Sequence, residues 1–201
     1  MVSQRRKPAG EATAANAIPE DRILDAAYEQ LLAVGMRRLN MADVARQAGV
    51  SRPTLYRRWP NVQALLADLV TREFAAVVTP GGEPDASGRS LVVETVVAAV
   101  GRLRTHPLLR KIVDVDPEFL VPYLLQRRGT SSDRQLALVE GGIRLGQADG
   151  SIRAGAPGML ARAVLLTAWS FTLTGPVFVA PNRYRALDAE LSELIDRYLA
   201  A

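Results

Sequence analysis

The stretch "MADVARQAGVSRPTLYRRWP", Met41–Pro60, holds two short helical patterns separated by Gly49 and Val50. Asn40 stands where a helix N-cap belongs, because a short side-chain oxygen can take one of the N–H groups left free in the first turn. The first helix then runs Met41–Ala48, with Val44, Ala45 and Ala48 as its inner face. Gly49 supplies the left-handed residue that ends it. Ser51 caps a second helix over Arg52–Trp59, and Pro53 falls in its first turn, where no intrahelical N–H bond is lost. Pro60 stops that helix. Two helices joined by a turn of three or four residues with a glycine form a helix-turn-helix unit, with Val50 able to plug the angle between them.

Charge is concentrated around this unit. Residues 1–60 hold ten Lys/Arg against six Asp/Glu, whereas residues 61–201 hold fifteen of each. Within Gly35–Trp59 six arginines face one acid, Asp43. A basic segment on a neutral body predicts an anionic partner for that segment.

The second helix carries groups that suit double-stranded DNA. Arg52 and Thr54 lie in its first turn, the part that meets base edges in a major groove. Arginine can fork onto guanine, and threonine can offer its methyl to thymine or its hydroxyl to phosphate. Tyr56, Arg57 and Arg58 lie one turn on and suit the flanking phosphates. Asn61 begins the next helix, whose N-terminus suits another phosphate. Leu55 and Trp59 read as core, since large apolar side chains in such a short helix must anchor it. Arg57 and Arg58 cannot both face the same way on a helix, so one of them points partly away from DNA.

Outward from the unit every pattern is helical. Residues 1–19 are rich in Ala, Gly, Pro and charge and read as a disordered basic arm with Arg5, Arg6 and Lys7. Ile23, Leu24, Ala27, Leu31 and Val34 form a helical stripe that Gly35 ends. A longer helix runs from Asn61 to about Val77. "TPGGEPDASG", Thr79–Gly88, is the clearest break in the chain. Beyond it helices are predicted over Leu91–Leu103, Leu108–Val113, Asp116 to about Arg128, Ser131 or Ser132 to about Asp149, Pro157 to about Thr174, and Arg183–Leu199. Gly175-Pro176 reads as a stop. No segment shows strand alternation, so the chain is all-α with about nine helices. The division is an arm over 1–19, a helix-turn-helix domain with its connecting helix over 20–77, a loop over 78–90 and a second helical domain over 91–201.

The run "ILDAAYEQLLAVGMRRLNMADVARQAGVSRPTLYRRWPNVQALLADLV" resembles the N-terminal domain of the tetracycline-repressor (TetR) family of transcriptional regulators. The resemblance covers about residues 20–77 and rests on "ILDAA", the Gly35 stop, "VARQAGVS", "TLYRRWP" and "ALL". It implies that Arg52, Thr54 and Tyr56 lie in the recognition helix, with Tyr56 on a phosphate; the full set of expected DNA contacts is Arg52, Pro53, Thr54, Tyr56, Arg57, Arg58, Asn61 and Asn40. The chain departs from the family pattern at Met41, where a hydroxyl residue is usual, and at Val62 and Gln63, where a lysine is usual. The resemblance further implies a homodimer on a palindromic operator, a small-molecule effector bound in the C-terminal region, repression as the mode of action and a cytoplasmic location.

The C-terminal residues add support of their own. Tyr184, Leu187, Leu191, Leu194 and Tyr198 form a stripe at three- and four-residue steps. Pro157–Thr174 is apolar on most of its circumference, with Leu160, Val164 and Phe171 among its residues, so it must be buried on nearly all sides. Such a pair fits a dimer interface, and reading DNA with a helix-turn-helix calls for two copies about one helical turn apart. Candidates for a ligand cavity, by position and type, are Leu103, Phe119, Tyr123, Leu138, Trp169 and Thr172. "DVDPE", Asp114–Glu118, is a local acidic cluster that reads as a helix start with acids near its positive end, the alternative being a contact for a cationic effector.

Other classes fit poorly. The chain has no cysteine and one histidine, His106, and no phosphate-cradling glycine loop, so no metal site, cofactor or catalytic motif is predicted. A small-molecule enzyme using Asp114 and Glu118, or a purely helical interaction module, would leave the arginine excess of Gly35–Trp59 unexplained. No signal-peptide pattern opens the sequence. Ala163–Asn182 is uncharged and close to a membrane span in length. It nevertheless holds Ser170, three threonines, Gly175 and Pro176, with an arginine at each end, which argues against a span.

Overall fold

A computed structural model describes residues 20–78, 86–121 and 130–201. The predicted arm over 1–19, most of the 78–90 loop and Tyr123 lie outside the described residues. Those described form ten α-helices and no strand. They are α1 (Glu20–Val34), α2 (Met41–Ala48), α3 (Arg52–Arg58), α4 (Val62–Val77), α5 (Gly88–Thr105), α6 (Pro107–Val115), α7 (Thr130–Ala148), α8 (Pro157–Leu173), α9 (Gly175–Phe178) and α10 (Tyr184–Leu199).

Two cores hold these helices together. The first gathers Ile23, Leu24, Ala27 and Leu31 of α1, Met41, Val44, Ala45 and Ala48 of α2, and Leu55 and Trp59 around α3. It continues through Leu65, Leu66, Leu69 and Phe74 of α4 into Leu103, Leu108, Leu109 and Ile112. The second is built by Val92, Val96 and Val100 of α5, Ile143 of α7, Leu160 and Val164 of α8, and Leu191, Ile195 and Leu199 of α10. The chain break after α4 therefore does not separate the cores: the end of α5 and all of α6 pack with the N-terminal helices.

Several sequence expectations change. Val34 is exposed although it continues the α1 stripe, because α1 ends there. Gly175-Pro176 does not merely stop α8 but opens the short α9, where proline in the first turn costs no hydrogen bond. Asp116 starts a 3-10 turn over Pro117–Phe119. Most of the helix expected beyond that turn, residues 122–129, lies outside the described residues. α8 is buried on one side only, leaving Met159 and Leu166 exposed. Among the described residues no helix is long and apolar enough to cross a membrane.

α5 and α7 cross closely over glycines. A Cβ on Gly142 would lie 2.6 Å from Val92, and one on Gly146 2.5 Å from Ile152. Ile152 itself pairs with Ala200 in an isolated antiparallel bridge, which ties the C-terminus to the α7–α8 connection.

Candidate nucleic-acid interface

The turn between α2 and α3 is fixed by hydrogen bonds of the kinds the sequence predicts. The Asn40 side chain accepts from the Ala42 N–H at 2.8 Å. Gly49 adopts φ +67°, its N–H reaches the Arg46 carbonyl at 3.2 Å, and the Val50 N–H reaches the Ala45 carbonyl at 2.9 Å. This is the Schellman pattern, and it sets the exit angle of the chain. The Ser51 Oγ accepts from the Thr54 N–H at 3.3 Å and lies 2.8 Å from the Thr54 hydroxyl. The Asn61 side chain accepts from the Ala64 N–H at 2.8 Å.

α3 is anchored from below. Leu55 is fully buried and Trp59 is 1% exposed. The Trp59 indole N–H donates to Asp68 at 2.8 Å, so the polar atom of the buried ring is satisfied. The outer face carries Arg52, Pro53, Tyr56, Arg57 and Arg58, all exposed. Met41 is buried in the first core, so its side chain is not available to a phosphate.

The six arginines of Gly35–Trp59 divide into two sets. Arg37 pairs with Glu118 and lies 3.5 Å from Asp116; Arg46 pairs with Asp43 at 2.8 Å; Arg58 pairs with Glu20 at 2.9 Å. Arg38, Arg52 and Arg57 have no ionic partner among the described residues. Arg58 is thus the arginine that turns away, toward the start of α1, and its guanidinium lies 5.8 Å from the Trp59 ring. Thr54 is half-buried with its hydroxyl against Ser51. Asn40 and Asn61 each spend a side-chain oxygen on capping. The free cationic and aromatic groups of α3 are therefore Arg52, Tyr56 and Arg57.

The acidic cluster has a role that sequence reading missed. Asp116, buried at 2% exposure, accepts from the Met36 N–H at 2.7 Å. It thereby fastens the end of α6 to the loop between α1 and α2. Glu118, hydrogen-bonded by Arg37, is held below the ordinary carboxylate value by that bond. Its partner lies 81 positions away, which no local pattern displays. α4 is fastened as well, with Arg72 pairing to Asp25 of α1 at 2.8 Å and Arg102 donating to the Val77 carbonyl at 3.0 Å.

A cavity lies behind this scaffold, between α5, α7 and α8. It has a volume of about 40 Å³ and is lined by Leu103, Leu138, Trp169 and Thr172, together with Val100 and Leu165 among others. A second cavity of about 150 Å³ opens beside it, against Thr71 and Phe74 of α4 and Arg134 of α7. Four of the six expected ligand residues therefore meet. Phe119 instead packs against the first core, next to the Asp116 turn.

The expected interface residues also divide. Leu160, Val164 and Leu191 are 4%, 1% and 0% exposed inside the subunit's own core, so they present no surface to a partner. Helical apolar stripes alone could not tell the two faces apart. Phe171 packs partly buried on the second core, and Leu187 is half-buried. Tyr184 lies under the buried Arg104 guanidinium, 4.7 Å from it, and Arg104 is paired with Asp188 at 2.8 Å. Leu194 and Tyr198 are exposed, as are Met159 and Leu166 of α8 and Val177 and Phe178 of α9.

Comparison with known proteins agrees with this geometry. Residues 23–69 match the family described as bacterial regulatory proteins, tetR family. A helix-turn-helix transcriptional regulator of Mycobacterium bovis is 35% identical over 181 residues, covering 89% of this chain and 93% of that protein. Among solved structures, the transcriptional regulator FadR from Bacillus subtilis in complex with stearoyl-CoA aligns with a TM-score of 0.64 at 17% identity, over 90% of this chain and all of that one. A putative transcriptional regulator from Saccharomonospora viridis in complex with choline aligns with a TM-score of 0.63 at 19% identity, over 90% and 97% of the two chains. The shared helix-turn-helix sequence and the near full-length relative place this chain in the tetR family of bacterial transcriptional regulators.

Proposed function

We propose that the protein is a ligand-responsive repressor that binds a palindromic operator as a homodimer in the cytoplasm. Residues 20–77 form its reading domain and residues 91–201 its ligand-binding and dimerisation domain. α3 enters the major groove with Arg52 on base edges, the Thr54 methyl and Pro53 beside them, and Tyr56 and Arg57 on phosphate. Asn40 and Asn61 hold the two helix starts that flank it. The observation that carries this reading is the exposure of Arg52, Tyr56 and Arg57, without ionic partners, on a helix anchored by buried Leu55 and Trp59.

The dimer surface we assign is the exposed apolar face of α8 and α10, with Met159, Leu166, Leu194 and Tyr198. Four exposed large apolar side chains on two long helices are better covered than solvated. The effector site is the paired cavity. Stearoyl-CoA and choline, held by the two proteins of similar fold, are chemically unlike, so the fold offers a place for a ligand without fixing its identity. The cavities lie against both Trp169 and α4, and the Phe74 and Trp169 rings are 6.4 Å apart. A ligand that favours one position of α4 shifts the recognition helices by its differential affinity for that state.

A salt titration of binding to the DNA upstream of the protein's own reading frame, against a scrambled fragment, tests the reading. The native protein should prefer its own fragment by orders of magnitude with a steep salt slope, and the Arg52→Ala/Tyr56→Ala double variant should lose both. Equal, weak binding to both fragments at every salt concentration would mean either that the operator lies elsewhere or that α3 is only a charged face, and in the second case the DNA-binding reading falls.

A further inference from the structure

The two cavities differ in chemistry, and the difference points to a ligand. The inner one is walled by hydrocarbon from Val100, Leu103, Leu165 and Trp169. Its Thr172 hydroxyl already donates to the Ala168 carbonyl at 2.8 Å. The outer one carries Ser131, Arg134 and Gln135. Arg134 is the ionisable residue among the groups lining either cavity, it is exposed, and it has no ionic partner among the described residues. Gln135 lines both cavities, and its Nε2 is buried without a hydrogen-bond acceptor. A buried donor left unpaired costs about as much as a lost hydrogen bond, and a ligand acceptor placed here would remove that cost.

The geometry points to an amphiphilic carboxylate as the effector, with a short alkyl body in the inner cavity and the carboxylate oxygens between Gln135 Nε2 and Arg134. This assignment rests on the paired cavity being the effector site and names the class of molecule it selects. An anion is favoured because the lining contributes a cation and a bare N–H donor but no carboxylate. The inner volume of about 40 Å³ takes the end of the alkyl chain, and the rest of it lies along Val78 and Leu138, which line both cavities. An alkylammonium of equal length would place its donors against a donor and a guanidinium.

Isothermal titration of the full-length protein, without DNA, with octanoate and with octylamine at pH 7 tests this. Octanoate should bind and octylamine should bind at least tenfold more weakly. Gln135→Leu and Arg134→Ala should each weaken octanoate about tenfold or more, because each loses a hydrogen bond to a charged group. Gln135→Glu should invert the preference toward octylamine, which a residue with only a packing role would not do. Octylamine binding as tightly as octanoate would overturn the carboxylate class while leaving the cavity as an effector site. Binding of neither probe would remove both the class and the cavity's role, and the operator titration with Arg52→Ala/Tyr56→Ala would still decide the DNA-binding reading separately.

Discussion

Asp116→Ala is the substitution with the sharpest structural expectation. The carboxylate is buried, accepts from the Met36 N–H at 2.7 Å and joins α6 to the turn that leads into α2. Removing it orphans a buried N–H, which costs about 1–3 kcal/mol. The Arg37 contact adds little, because the Arg37 side chain is 68% exposed and the 3.5 Å pair is screened. About 2 kcal/mol should therefore be lost, or a fall in Tm of about 4–8 °C for a chain of this size. Asp116→Asn keeps an oxygen facing the Met36 N–H and should lose less than half as much. Urea unfolding followed by circular dichroism measures both variants. Equal losses in the two would show that the charge matters rather than the hydrogen bond. A loss under about 0.5 kcal/mol in Asp116→Ala would remove the fastening altogether.

Three further outcomes follow from the same geometry. Gly49→Ala should destabilise by about 1 kcal/mol, measured by the same unfolding, because Gly49 sits at φ +67° and its new Cβ would lie 3.2 Å from Arg22. Arg57→Ala should lower the slope of log affinity against log salt by about one on operator DNA, while Arg58→Ala, whose guanidinium is held by Glu20, should change it less. Burial holds the His106 imidazole below its ordinary 6.5, with Glu73 opposing. The unfolded chain then takes up the proton first, so stability should fall as pH drops from about 6.5 toward the folded-state value, and His106→Phe should flatten thermal-shift profiles between pH 7.5 and 5.5.

Local chemistry made the helix-turn-helix legible. Asn40, Gly49, Ser51 and Asn61 act within three residues of themselves, so their roles follow from residue type and spacing. Trp59 and Leu55 were readable as core because α3 is too short to stand without anchors. What stayed hidden depends on distant chain. Arg58 looks like a phosphate contact until Glu20, 38 positions away, is seen to hold it. The acidic cluster looks like a helix start until Asp116 is found 80 positions from the amide it accepts from. The α8 and α10 stripes were visible, but a stripe does not say whether its residues face the subunit's own core or another surface. Leu191 and Leu194 are three residues apart and differ by 46 points of exposure, from 0% to 46%.

These long-range contacts bear on how a ligand could reach the DNA-binding face. Phe74 belongs to the first core and also lines the outer cavity, and Trp169 lines the inner cavity while packing on that core. The two sites are therefore linked through close-packed side chains, which transmit displacement because interiors have few voids to absorb it. The C-terminal half of α4 is held twice, by Arg72 against α1 and by Arg102 at the Val77 carbonyl. Asp116 fastens the α1–α2 loop to α6 independently of α4. A ligand that moves α4 must work against this second fastening or carry α6 with it. If the fastening opposes the movement, Asp116→Ala should make the protein release operator DNA at lower effector concentration, even though it weakens the fold. If α6 travels with α4, the same variant should raise the effector concentration needed for release.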